Sequence, residues 1–162
     1  MRYFAEYSFD GVGKLLLGEE DGRITDLHFE KSGTRPRAPL TIKETEVLAE
    51  AHCQLEEYFR GERRQFSLPL ALHGTPFQLR CWEALRAVHY GKTATYGDIA
   101  RAAGSPKAFR AAGMANNRNP VAIIVPCHRI IGADGSLTGF GGGLEIKAFL
   151  LALEAKYSRG QA

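Results

Sequence analysis

The chain has 162 residues, 44% of them hydrophobic and 24% charged, with a formal net charge of +3; that is enough to bury a core without crosslinks. Its cysteines, Cys53, Cys81 and Cys127, form no C-x-x-C pair, which argues against a disulfide framework or a zinc ribbon and for a reducing compartment. No apolar run approaches the roughly 20 residues of a bilayer span and the N-terminus lacks a secretory pattern, so a cytoplasmic protein without membrane contact is expected.

The charge is divided unevenly. Before Thr75 there are 10 basic and 13 acidic residues, and from Thr75 onward 11 basic and 5 acidic, giving −3 and +6. A polyanion would be drawn to the second part, although a solvated basic face would read the same way.

In chain order, Tyr3 to Tyr7, Lys14 to Leu17 and Ile24 to Phe29 alternate apolar and polar residues around turn signals at Asp10-Gly11 and Asp21-Gly22. This predicts a small antiparallel meander. A polar loop from Lys31 to Pro39 leads to Thr41-Ile-Lys-Glu44, read as a capping box, and then to a helical pattern through Phe59 that Gly61 ends. The connector from Glu62 to Gly74 holds a short extended piece, Phe66 to Leu70, and the domain boundary falls there, dividing 1–72 from 73–162.

Thr75-Pro76-Phe77-Gln78 is a second capping box with proline at the first helical position. Tyr96 to Ala103 and Pro106 to Asn116 predict two helices across a tight turn, a helix-turn-helix, the second capped by Ser105. That second helix carries Ala108, Ala111, Ala112, Gly113 and Ala115, with Lys107 and Arg110 among them. So small a surface suits close approach to a nucleic-acid backbone or, equally, tight packing against another helix. Val121 to Val125 reads as a buried strand stopping at Pro126; a glycine-rich loop spans Gly139 to Gly143, and Leu144 to Leu153 is a final helix.

Pro126-Cys127-His128-Arg129 carries the chemistry. A thiol reacts as its thiolate, so Cys127 needs a base or positive surroundings, and His128 and Arg129 are the adjacent candidates. Neighbouring side chains on an extended segment diverge, so a local turn or a water has to connect thiol and imidazole. Cys81 lies on an apolar stripe and belongs to the core; Cys53 falls opposite its helix's stripe, and His28, His52, His73 and His89 have no metal-ligand spacing.

From Asn119-Pro120 through Pro126-Cys127-His128-Arg129-Ile130-Ile131-Gly132, the chain resembles the active-site signature of the methylated-DNA–protein-cysteine methyltransferases, the O6-alkylguanine-DNA alkyltransferases, with likeness from about Thr75 to Glu154. The resemblance implies an α+β protein: a small N-terminal antiparallel sheet with helix, ribonuclease-H-like, then a mostly helical, winged-helix-like helix-turn-helix domain carrying the active site. It implies a suicide repair enzyme that moves the alkyl group from O6-alkylguanine onto its own cysteine, with O4-methylthymine as a further candidate substrate. Cys127 would be the acceptor, His128 its base through a water, Glu154 the group that orients the imidazole, and Tyr96 the nucleotide-rotating and proton-donating tyrosine.

Arg110 would be the finger that fills the flipped nucleotide's place, and Lys107, Ala108, Ala111, Ala112, Asn119 and Arg129 would complete the DNA-binding set. Asn119 would also tie the recognition helix to the active-site turn. Val125, Phe140, Gly141 and Gly142 would line the base pocket. The implied partner is double-stranded DNA bound through its minor groove by a monomer, with no cofactor and no metal. Phe140 and Gly141 stand where relatives carry tyrosine and, in some, a hydroxyl, and Phe109 where alanine is common. A non-catalytic lesion-recognition module, a turnover thiol hydrolase using Cys127 and His128, and a transcription regulator remain the alternatives on residues alone; the last would need sequence readout that an alanine-rich helix does not favour.

Overall fold

A computed structural model describes residues 1–159. The meander is present: β1 (Arg2–Phe9), β2 (Gly13–Glu20) and β3 (Arg23–Phe29) form an antiparallel sheet in that order, with Leu15, Leu17, Ile24 and Leu27 buried. Helix α1 (Glu46–Phe59) buries Leu48, Ala51, Leu55 and Tyr58. Its cap is Thr45, whose hydroxyl accepts from Leu48 N–H, and not the Thr41 box expected from sequence. Thr41 and Lys43 are committed elsewhere: Phe4 N–H donates to Thr41 O and Lys43 N–H to Phe4 O, so this segment pairs with the free edge of β1.

The second part begins with α2 (Pro76–Arg86), held by the expected Thr75–Gln78 capping box. After the short strand β4 (Ala94–Thr95) come α3 (Tyr96–Ala102), also boxed by Thr95 and Asp98, and α4 (Phe109–Asn117). The expectation that α4 starts at Pro106 with Ser105 as cap is corrected. Ser105 O instead accepts from Ala108 N–H in a turn, and Ala108 is the N-cap, without a side-chain hydrogen bond. Lys107 therefore precedes the helix. Strand β5 (Ile130–Ile131) pairs in parallel with β4, and α5 (Leu144–Ser158) is the last described element.

Val121, Ala122, Ile123 and Val125 are buried and Ile124 half-buried, but the segment is not a strand. Leu27 N–H donates to Pro120 O and Ala122 N–H to Leu27 O, so its start adds to β3 and joins the two parts of the chain. The backbone then reverses through a γ-turn, Ile124 N–H to Ala122 O at 2.8 Å, with Ile123 at φ +70°. A β-branched residue pays strain for that conformation, here held by burial of Ile123 and by Asn119.

Candidate active site

Two consecutive tight turns present Cys127. Cys127 N–H donates to Val125 O at 2.8 Å, and Cys127–Arg129 then form one turn of 3-10 helix. The turn places the two residues side by side without a direct hydrogen bond from thiol to imidazole, so the connecting step falls to a water. Asn119 pins the approach to it: its Nδ2 donates to Val125 O at 2.8 Å and its Oδ1 accepts from Val121 N–H at 3.0 Å. Asn116, buried on α4, donates more weakly to Cys127 O at 3.4 Å.

Behind the thiol lies a charged cluster in the core. Glu154, on α5, binds His128 Nε2 at 2.6 Å through Oε2 and Arg129 Nε at 2.8 Å through Oε1. Tyr58 OH donates to Oε2 at 2.6 Å and Gly91 N–H to Oε1 at 3.2 Å. Burial pushes the Glu154 carboxyl up, but the hydrogen bonds from His128 and Arg129 and the Arg129 charge outweigh it and hold it well below the ordinary range. An ionised carboxylate only accepts, so His128 Nε2 carries a proton. Burial lowers the His128 pKa, with the pull of Glu154 in the other direction and the charges of Arg129 and Lys147 adding to the lowering. The ring is therefore neutral with Nδ1 bare, and that nitrogen is buried and finds no hydrogen-bond partner among the described residues.

Cys127 is 5% exposed. Burial pushes its thiol up to about 11, against the opposing effects of Asn119 and of the Lys147 charge. Sequence reasoning missed Lys147. It is fully buried on α5 with Nζ donating to Thr138 O at 2.8 Å, and Thr138 O and Oγ1 also meet Tyr96 OH at 3.2 and 2.9 Å. A lysine three positions before the core Leu150 and seven before Glu154 shares their helix face, which was the available signal. Tyr58 was missed too, because it sits in α1 with the spacing of a plain core residue.

Tyr96, Phe109, Arg110 and Asn117 line an open groove that meets, at Asn117, the narrow cleft over Cys127. Arg110 is exposed in this groove; Lys107 and Ala111 are exposed and Ala108 half-buried. Three expected DNA contacts are corrected. Arg129 is 6% exposed, with Nη1 donating to Val88 O at 2.7 Å and its other nitrogens bound to Glu154. Ala112 is packed inside at 1% exposure, and Asn119 is spent on the active-site turn, so its tying role is the one its geometry allows.

Of the expected pocket residues, Gly141 lines the cleft beside Cys127. Val125 does not: its side chain is buried and its carbonyl already accepts from Asn119 and Cys127. Phe140 and Gly142 lie against the Phe29 ring instead, Phe140 at 5.3 Å between centroids. No group of metal-ligating side chains occurs among the described residues, and none of their helices is long and apolar enough to cross a membrane.

Comparisons with known proteins place this geometry. Residues 3–72 match the ribonuclease-like domain of 6-O-methylguanine DNA methyltransferase, and residues 76–156 its DNA binding domain. The methylated-DNA–protein-cysteine methyltransferase of Methanosarcina acetivorans is 52% identical over 144 residues, 88% of this chain and 92% of that protein. The constitutive enzyme of that name from Bacillus subtilis is 51% identical over 148 residues, covering 88% and 90%. Among solved structures, the Mycobacterium tuberculosis OGT in complex with DNA superposes with a TM-score of 0.86 at 42% identity, over 96% of this chain and 93% of that one. The chain belongs to the 6-O-methylguanine DNA methyltransferase family.

Proposed function

We propose that this protein repairs DNA by direct reversal, taking an alkyl group from O6 of guanine onto Sγ of Cys127 once per molecule. The observation that carries this reading is the bare, buried Nδ1 of His128, next in sequence to a buried thiol and backed by an ionised Glu154. A histidine so held is a base with one free nitrogen, the division of roles found in hydrolase triads.

In the reaction, Cys127 Sγ loses its proton through a water to His128 Nδ1, and the imidazolium is stabilised by Glu154. Sulfur attacks the alkyl carbon, the carbon–O6 bond breaks, and the electron pair leaves with guanine, which gains a proton on its ring with Tyr96 as the donor. The Tyr96 phenolate regains a proton from solvent and the His128 imidazolium gives its proton up to solvent, so in the net reaction thiol proton and alkyl group have changed places and no oxidant or cofactor enters the balance. Lys147 offsets the negative charge developing at sulfur and, through Thr138, steadies Tyr96. The thioether is too poor a leaving group to regenerate the thiol.

The O6 substituent lies inside the base stack, so the nucleotide has to rotate out of the duplex. Arg110 enters the gap, with Lys107, Ala108 and Ala111 against the minor-groove backbone and residues 73–162 acting as the catalytic and DNA-binding domain beside residues 1–72. The protein acts as a cytoplasmic monomer.

The test mixes protein with excess duplex oligonucleotide containing one O6-methylguanine, followed by digestion and mass spectrometry. One CH2 added to the Cys127 peptide, at an end-point of one per protein, is expected. Binding without modification would leave a recognition module and would overturn the reading.

A further inference from the structure

The strand-rich part of the chain sends a buried polar relay to the wall of the Cys127 cleft. Asp26 and His28 are 4% and 2% exposed on β3. Asp26 receives Arg2, Thr25 Oγ at 2.6 Å, and His28 Nε2 at 2.7 Å. His28 Nδ1 meets Thr34 Oγ1 at 2.9 Å, and Thr34 Oγ1 meets Ser32 Oγ at 2.7 Å. Thr34 N–H also donates to Ser32 Oγ at 3.3 Å. Polar groups buried in a sheet are costly unless hydrogen-bonded, and these satisfy one another in a connected chain that ends at Ser32 and Thr34.

What they hold faces Cys127. Ser32 and Thr34 line the same cleft as the nucleophile, opposite the glycine loop. The fit there is tight: a Cβ on Gly141 would stand 3.2 Å from Ser32 Oγ, and one on Gly142 would stand 2.7 Å from the Phe29 ring. The Ser32 hydroxyl and the bare Gly141 backbone thus bracket the opening, leaving little slack for a larger group.

We propose that the Ser32–Thr34 corner, fastened from behind by the Asp26–His28 pair, is a specificity-determining wall that sets how large an O6 substituent reaches Cys127. The inference rests on the alkyl-transfer reading above and extends it by giving the sheet segment a part in substrate choice. Ser32 touches the substituent; Thr34 and His28 are positioning residues that act through it.

The test is the ratio of single-turnover transfer rates from duplexes carrying O6-benzylguanine and O6-methylguanine. Ser32→Gly is expected to raise the benzyl-to-methyl ratio about tenfold and Ser32→Leu to lower it about as much, the scale of a changed apolar pocket contact. Thr34→Val, nearly isosteric but unable to serve the relay, shifts the ratio as Ser32→Gly does, whereas Thr34→Ser retains the parent ratio. A merely structural role would lower both rates together and leave the ratio flat. Folded Ser32→Gly and Ser32→Leu proteins with ratios within roughly twofold of the parent overturn the inference alone. A parent protein that transfers neither group defeats the alkyl-transfer reading beneath it.

Discussion

The phenol of Tyr58 and the carboxylate of Glu154 meet at 2.6 Å across 96 positions of sequence, and the oxygen they share is the one that binds His128. A helix of the N-terminal part therefore reaches into the charge network behind the nucleophile. Tyr58→Phe removes this bond while keeping the ring. A loss of about 1–2 kcal/mol of stability is expected, with slower alkyl transfer, as read by thermal unfolding and single-turnover assay. Unchanged transfer would show that His128 and Arg129 orient Glu154 without it.

Arg129→Ala should damage the fold and not the grip on DNA. It leaves Glu154 a buried carboxylate short of its cation, which costs about 3–5 kcal/mol. The salt dependence of DNA binding should keep its slope in whatever fraction remains folded. Lys107→Ala and Arg110→Ala, both exposed, should each lower that slope by up to about one. Fluorescence anisotropy across a salt series separates the two classes.

Thiol reagents should distinguish the cysteines. Cys53 is exposed, while Cys127 is buried with its thiol pushed up to about 11. Iodoacetamide at neutral pH is expected to label Cys53 first, as peptide mass spectrometry would show. Prior labelling of Cys127 would mean that the cleft opens far more readily than its packing suggests.

Stability should fall as the medium is acidified below neutrality. His128 has a folded pKa below its ordinary 6.5, so its contribution is present above that value and lost as pH falls through the lowered one. Glu154, depressed from 4.5, adds a second loss further into acid. On the alkaline side the Cys127 thiol is raised, so its contribution is present below the ordinary 9.0 and lost as pH rises toward about 11. Denaturant unfolding from pH 4 to 10 checks the signs; Cys127→Ser should flatten the alkaline limb by removing the thiol's titration from that range. Transfer should also slow in acid as His128 gains a proton.

Asn119→Leu should cost about 2–4 kcal/mol, since Val121 N–H and Val125 O both lose a buried partner. Because these bonds frame the γ-turn at Ile123, transfer should fall even where the protein stays folded. Calorimetry and the transfer assay read the two effects separately.

How far the sequence was legible depended on whether the information was local. The Thr75–Gln78 box was readable because its hydrogen bonds lie within three residues, and the meander because its alternation and tight turns join strands that are neighbours in sequence. The Thr41 box failed because a distant strand claimed its backbone. Val121 to Val125 had the composition of a strand, yet Asn119 and β3 bend it into turns that no residue-type preference encodes. Arg129 looked like a phosphate contact because charge in a sequence carries no depth; its partner Glu154 lies 25 positions away. Lys147 and Tyr58 were hidden among apolar neighbours on helices whose stripes read as ordinary core.

The groups behind Cys127 come largely from α5, the last element described: Lys147 and Glu154 both lie on it, after every other part of the site has been made. A ribosome emits the chain from the other end. While the helix is still in the exit tunnel, Cys127 has been synthesised but His128 has no carboxylate to hold it and the Gly91 loop has nothing to dock on. The charge network behind the thiol is therefore completed only when α5 emerges, and a chain cut short before that helix would carry Cys127 without Glu154 or Lys147.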